Sequence, residues 1–294
     1  MNFVKYFKFF NILSTLLFLG AIFSLIFFGL KFSIDFTGGS ILEIDFEQRP
    51  ENQIIQEKLK TLDLGEIVIQ PIGEKGVILR LPEINEETHQ KIISQLNEIS
   101  KVEEKRFESV GPTVGKELRE KTISLITVSL FFLLCYITIA FSKISRPISG
   151  WQYGLISIIT LSFDVVISLG IFSLLGKLYN AQFNIPIVTA LLTILGYTIN
   201  DKVIVFDRIR ENILKEHKRS FEDLVNLSLN QTLTRSLSTG TCTLLVLLFI
   251  FLFGGETLKY FALILIAGIV IGTYSSLFLA TPLLVIWLKY RERH

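Results

Sequence analysis

Half of the 294 residues are hydrophobic, 25 are phenylalanine and the mean hydropathy is +0.53, a balance that excludes an ordinary soluble domain and reads as an integral membrane protein with several spans. The net charge of +2 conceals an asymmetry: residues 31–120 hold 12 Lys and Arg against 18 Asp and Glu, net −6, whereas the remainder holds 17 against 9, net +8. An acidic soluble module spliced into a basic membrane body excludes a nucleic-acid reader and points instead to the lipid bilayer as the principal surroundings.

In chain order, Met1 to Phe10 carries Lys5 and Lys8 ahead of an apolar run from Phe9 to Leu30. The run is too long for a signal peptide and is followed by no small-residue cleavage site, so it is expected to remain as the first span with the amino terminus cytoplasmic. The stretch Phe32 to Ser40, FSIDFTGGS, then places the acid Asp35 and the pair Gly38 and Gly39 at the exit of that span, where glycine permits a tight turn into a strand. Strand signals at Ser40 to Phe46, Glu66 to Ile72, Val77 to Leu81 and Val102 to Val110 alternate with helix signals at Glu51 to Leu62 and Ile84 to Ile99. The order βαββαβ is that of a ferredoxin-like split βαβ sandwich, an α+β domain of one modest core. No nucleophile and base, phosphate loop or metal spacing occurs inside it, so no catalysis is expected there. At its far edge Val110 to Leu118, VGPTVGKEL, uses Gly111 and Pro112 to end the last strand just before the second span.

Five further spans read as Ile123 to Phe141, Tyr153 to Leu175, Ile185 to Phe206, Ser236 to Phe253 and Tyr260 to Leu288. The expected division is a first transmembrane helix over 1–31, an exported domain over 32–120 and a five-helix region over 121–294 with a cytoplasmic loop at 207–235. Alternating the six spans puts Lys143, Arg146, the run from Arg208 to Arg219 and the tail Lys289, Arg291 and Arg293 on one side, facing loops that carry only Lys177 and Lys259. The positive-inside rule then places both termini in the cytoplasm and residues 32–120 on the outer face. Cys135 and Cys242 fall in apolar segments as small hydrophobes, and His89, His217 and His294 have no ligand spacing, so neither a disulfide framework, a metal nor a cofactor is expected.

Ionisable residues within spans carry the functional signal, because an acid at mid-span costs about 2.5–3.5 kcal/mol on insertion scales. Asp164 stands near the middle of the third span in SFDVVISLG and must be protonated or find a partner on another helix: a Ser or Thr that fixes packing, or a role as a second proton station tuning Asp201. The stretch Gly196 to Arg210, GYTINDKVIVFDRIR, carries Asp201 about 9 Å below the point where the helix emerges among Asp207, Arg208 and Arg210. In the fifth span Asn230, Thr234, Ser238 and Thr241 recur at helical spacing with Arg235 and Cys242 beside them, so its cytoplasmic half must face protein or water. Arg235 reads alternatively as an interfacial side chain that snorkels to the headgroups. The basic run from Asp207 to Glu222 mixes signs through Glu211, Glu216 and Glu222, which fits an elbow coupling the fourth and fifth spans better than a lipid anchor.

With FSIDFTGGS, VGPTVGKEL and GYTINDKVIVFDRIREN in one six-span chain, the sequence resembles the SecD/SecF family of protein-export membrane subunits, in the RND superfamily, over nearly its whole length. Asp207-Arg208, where the longer chains of the family carry Glu-Arg, and the small exported region place it with the shorter kind. The resemblance implies six transmembrane helices forming half of an RND-type bundle, a bacterial inner-membrane location, a SecD-like partner beside the SecYEG channel, and use of the proton gradient to draw unfolded exported polypeptides outward, with no chemical active site. It maps the family's important polar residues onto Asp201 and Arg235, as proton carrier and gate. Two departures stand out: Lys202 occupies a position where the family usually has Thr, and Phe163 precedes Asp164 where His is frequent. The first bears on how Asp201 titrates, with Lys202 either replacing a function of Thr or facing cytoplasmic water. Two alternatives stay open, a passive assembly scaffold whose membrane charges only pair helices and, more weakly, an RND small-molecule pump, for which the single exported module is too small to build a drug pocket.

Overall fold

The computed structural model describes residues 2–142, 148–216 and 219–292. Lys143, Arg146, Arg293, His217 and His294, which entered the topology and metal arguments, lie outside the described residues. The chain divides into two compact units, residues 32–123 and residues 1–31 with 124–294.

The smaller unit is a four-stranded antiparallel sheet, β1 (Gly39–Phe46), β2 (Val68–Ile72), β3 (Gly76–Leu81) and β4 (Val102–Val110), in the order β2-β3-β1-β4, after a short helix α2 (Ile34–Thr37) and with α3 (Asn52–Leu59) and α4 (Glu86–Asn97) in the crossovers. This is the expected βαββαβ arrangement. Alternation along β1 and β3 sends Leu42, Ile44, Phe46, Val77, Leu79 and Leu81 to one face, where Ile55, Leu59, Ile92 and Leu96 of the two helices close a single core. Leu42 sits opposite Leu79 on one side and Phe107 on the other, which sets the register at the centre of the sheet. Pro71 is tolerated because β2 is an edge strand. Asn85 caps α4 by accepting from the Thr88 amide at 2.9 Å.

The two junction sequences meet inside this unit. Gly38 and Gly39 have φ of 76° and 122°, conformations that a side chain resists. A Cβ on Gly38 would stand 2.8 Å from the Pro112 Cα, and one on Gly115 would stand 2.9 Å from the Gly38 amide nitrogen. The glycine pair thus serves a close backbone crossing with the start of the helix that Pro112 opens, the position where proline's missing N–H costs nothing. Ser33 caps α2 at the Asp35 amide, 3.3 Å away, and Gly111 accepts from the Gly115 amide at 3.0 Å.

Among the described residues six helices are long and apolar enough to cross a membrane. They are α1 (Phe7–Phe28), which a 3₁₀ turn extends, α5 (Pro112–Ala140), α6 (Gly150–Tyr179), α7 (Ile185–Lys215), α8 (Phe221–Phe253) and a last rod in which α9 (Gly255–Ser275) and α10 (Thr281–Glu292) join through a π-helical turn at Ser276–Ala280. α6, α7 and the last rod form the interior, while α1, α5 and α8 are largely exposed. Segment 207–235 is not a loop: α7 continues through Lys215 and α8 begins at Phe221, leaving 216–220 as the connector. The polar composition that suggested a loop is a helix hairpin's own chemistry, with Glu211 bridging Lys215 at 2.6 Å, Asn212 donating to Ser228 at 2.7 Å and to Gln231 at 2.8 Å, and Ser220 capping α8.

Because its core is self-contained, residues 32–118 are expected to fold alone, with exchange-protected amides in all four strands. Leu42→Ala, at a side chain with no exposure, should lower its unfolding free energy by about 2–5 kcal/mol in a urea titration. A fragment without protected amides would contradict the closed-core assignment.

Candidate functional site

The site is built on α7, whose two consecutive ionisable residues project about 100° apart around the helix axis. Asp201 is turned toward α8, where the Ser236 hydroxyl donates to its Oδ1 at 2.7 Å. Lys202 is turned toward α6 and α9: its ammonium donates to Asp164 Oδ2 at 2.6 Å and to Ser275 Oγ at 3.0 Å. Both partners of the Lys202–Asp164 ion pair have 0% side-chain exposure. Asp201 is 6% exposed. Ser275 in turn donates to the Gly272 carbonyl at 3.1 Å, so the ammonium is held by a carboxylate and by a hydroxyl that is itself oriented.

The pair exists because α7 and α9 cross at very short range. Gly268 and Gly272 are four residues apart on α9, and a Cβ on either would overlap the side chains of Ile194 and Thr198, which are four apart on α7. Small residues at this spacing let helix backbones approach. The next step along each ladder brings Lys202 to Ser275. Immediately beyond, the chain enters the π-helical turn, a widening of the helix that frequently accompanies functional positions.

Three buried oxygens of the cluster, Asp164 Oδ1, Thr198 Oγ1 and Asp201 Oδ2, have no hydrogen-bond partner among the described residues. Thr198 lies beside the Asp164 carboxyl without bonding geometry. A buried acceptor without a partner is costly, so these oxygens are the positions of the cluster that a proton, a water or a conformational change would satisfy.

Arg235 sits one residue before Ser236 on α8, with its side chain exposed. It is near enough for its charge to act on Asp201, yet no ion pair within 4 Å joins the two among the described residues. The expected stripe on α8 is present and outward: Thr234, Arg235, Ser238, Thr241 and Cys242 are all exposed, whereas Ser236 and Gly240 are buried. Asp207 and Arg208 belong to a separate arrangement at the hairpin end, where Asp207 faces Arg210 at 3.6 Å and Arg208 bridges Glu211 at 2.5 Å and donates to Gln231 at 2.8 Å. Asp35, Gly38, Gly39, Gly111 and Pro112 lie in the other unit.

The structure places Asp164 and Asp201 on either side of Lys202, a juxtaposition that sequence reasoning missed. Lys202 does not face water; it is the partner that Asp164 requires. The signal was available: opposite charges in adjacent spans ought to be paired before either is assigned a separate role, and Gly-x-x-x-Gly in the apolar run 268–272 reports a close helix contact. Ser236 and Ser275 carried no sequence signal that distinguishes them from other span serines. Among the described residues no group of three or more metal-ligating side chains occurs.

The prediction that tests the crossing contrasts two glycines. Gly272→Ala, which forces a methyl into Thr198, should cost about 1–3 kcal/mol by overpacking; Gly240→Ala, whose methyl would meet Thr273 Oγ1 at an ordinary 3.6 Å, should be neutral or mildly stabilising. Thermal unfolding of the full chain in detergent would show the difference, and equal effects would contradict the close crossing.

Comparison with known proteins adds independent information. The family described as "Protein export membrane protein SecD/SecF, C-terminal" matches residues 90–290, and the "SecD/SecF GG Motif" matches residues 23–48. The protein translocase subunit SecF of Thermobaculum terrenum is 40% identical over 293 residues, covering 95% of this chain and 91% of that one. The protein of the same name from Desulfurispirillum indicum is 38% identical over 277 residues, covering 88% and 83%. The crystal structure of SecDF from Thermus thermophilus, described as a translocon-associated membrane protein, superposes with a TM-score of 0.85 at 34% identity over 98% of this chain; a crystal structure of SecDF in a super-membrane-facing form gives 0.72 at 33%. This chain spans 38% of the first of those SecDF chains and 39% of the second.

Proposed function

The chain belongs to the SecD/SecF family of protein-export membrane proteins, and on that premise we propose that it is a proton-driven transport subunit: it works beside a SecD-like chain next to a SecYEG channel and uses the proton-motive force to promote export of unfolded polypeptides. The observation that carries this reading is Asp201, a carboxyl buried at mid-helix with one oxygen held by Ser236 and the other without a partner. Such a group has two stable fates, protonated where it stands or ionised against a cation that approaches it. Arg235, adjacent on α8 and not yet in contact, supplies that cation, so movement of α8 against α7 would exchange one state for the other.

The outward polar stripe on α8 supports a second membrane chain in contact there, because a hydrocarbon surface penalises an exposed guanidinium and hydroxyls. That this chain is equivalent to well under half of SecDF supports the same partner. On this reading both termini lie in the cytoplasm, residues 32–120 lie on the outer face of a bacterial inner membrane, and no chemical active site is involved. Each proton crossing releases about 2.3 kcal/mol per 100 mV, enough to bias a conformational equilibrium about 50-fold.

The passive-scaffold alternative has one observation in its favour, the fully buried Lys202–Asp164 pair, which by itself does no more than join helices. Asp201→Asn separates the readings, since it preserves size and hydrogen bonding but removes the titration. In vesicles carrying the assembled complex it should leave folding, insertion and partner binding intact while abolishing gradient-stimulated export. Full gradient stimulation in that variant would contradict proton carriage by Asp201.

A further inference from the structure

The buried charged side chains of the helical unit, among the described residues, are two acids and one base: Asp164, Asp201 and Lys202. The groups that face them are few. α6 contributes Asp164, α7 contributes Asp201 and Lys202, α8 contributes Ser236 with Arg235 exposed beyond it, and α9 contributes Ser275; among the described residues no other charged side chain from these elements enters the cluster. Lys202 is not shared evenly. Its ammonium is 2.6 Å from Asp164 and its second hydrogen bond goes to Ser275, on the same side of α7, while Asp201 takes its only hydrogen bond from a neutral hydroxyl.

We propose that Lys202 is the resident counter-cation of Asp164, so that the cluster is short of one positive charge and exchanges a single proton, carried by Asp201. The inference rests on the proton-coupled reading and deepens it by assigning the stoichiometry and its cause. With Arg235 away, the cluster needs one proton for neutrality; with Arg235 against Asp201, it needs none. A buried cluster cannot hold an uncompensated charge cheaply, so the proton on Asp201 and the guanidinium of Arg235 substitute for each other one for one. Asp164 stays ionised in both states because its cation, Lys202 on α7, stays bonded to it whatever Arg235 on α8 does. Lys202 is in this sense a positioning residue: it keeps Asp164 out of the titration and leaves one site to the gradient.

The consequence is specific. Removing Lys202 does not merely weaken packing; it turns Asp164 into a second proton site. The test is infrared difference spectroscopy of the full chain in lipid nanodiscs, with aspartate labelled with ¹³C at the side-chain carboxyl so that its protonated carbonyl band is resolved from glutamate. The wild type should show one protonated aspartic acid in the membrane interior, and Asp201→Asn should remove it. Lys202→Met should double the band, and Asp164→Asn/Lys202→Met should return it to one. Should Lys202→Met fail to fold, the background with Asp164 and Lys202 both in place still decides: loss of the single band in Asp201→Asn supports the proposal, and a band that survives there, which would mark a protonated Asp164, overturns it. A doubled band in the wild type, or a band in Lys202→Met no larger than the wild-type one, also overturns it. The band count is read without export, so a count as expected beside full gradient-stimulated export in Asp201→Asn would sink the proposed function while leaving this assignment standing.

Discussion

A lysine and an aspartate with no exposure, 2.6 Å apart in the middle of a helical membrane unit, constrain everything around them. Taking both charges out of water costs several kcal/mol apiece, and only good geometry with further hydrogen bonds recovers it. That requirement explains why α9 presents Ser275 at this height, why Ser275 is itself anchored to the Gly272 carbonyl, and why α9 carries glycines at 268 and 272. Larger residues there would hold α7 away and leave Lys202 short of its partners. The pair in turn fixes the rotation of α7, which puts Asp201 toward α8 rather than toward the interior.

Fixing one residue of a helix while leaving its neighbour half-satisfied is a way to make a hinge of charge rather than of backbone. Lys202 ties α7 to α6 and α9 as one body. Asp201, next to it, makes a single hydrogen bond to α8, the helix whose other face is exposed and polar. If α8 moves, the contact that changes is the one at Asp201, and the tether at Lys202 keeps the rest in register. At the hairpin end the Arg208–Gln231 and Asn212–Ser228 hydrogen bonds join α7 and α8.

Much of this was legible before any coordinates. The strand signals at Ser40 to Phe46 and Val77 to Leu81 and the helix signal at Ile84 to Ile99 specify the sheet-and-helix unit, because local pattern and burial agree there. The glycine and proline junctions were read as turns, and they are; that they touch one another could not be read, since the contact joins residues more than seventy positions apart. The helix ends were misjudged at 207–235 because polarity was taken as a loop signal, whereas i,i+3 and i,i+4 pairs and a serine cap make the same residues good helix. The identity of Asp164's partner was hidden for a different reason. From the sequence Lys202 either replaces a function of Thr or faces cytoplasmic water, and only the rotation of α7, set where it packs against α9, turns it inward.

The most direct measurement of the central interaction is a double-mutant cycle on Asp164 and Lys202, by reversible unfolding of the full chain in bicelles. Asp164→Asn and Lys202→Met should each destabilise by about 3–5 kcal/mol, the first because it leaves a buried ammonium alone and the second because it leaves Asp164 without its cation and forces it to take up a proton, while the double variant should lie near the wild type. Single-variant effects that simply add in the double variant would mean that the two charges do not depend on each other, and the arrangement built on their pairing would be wrong.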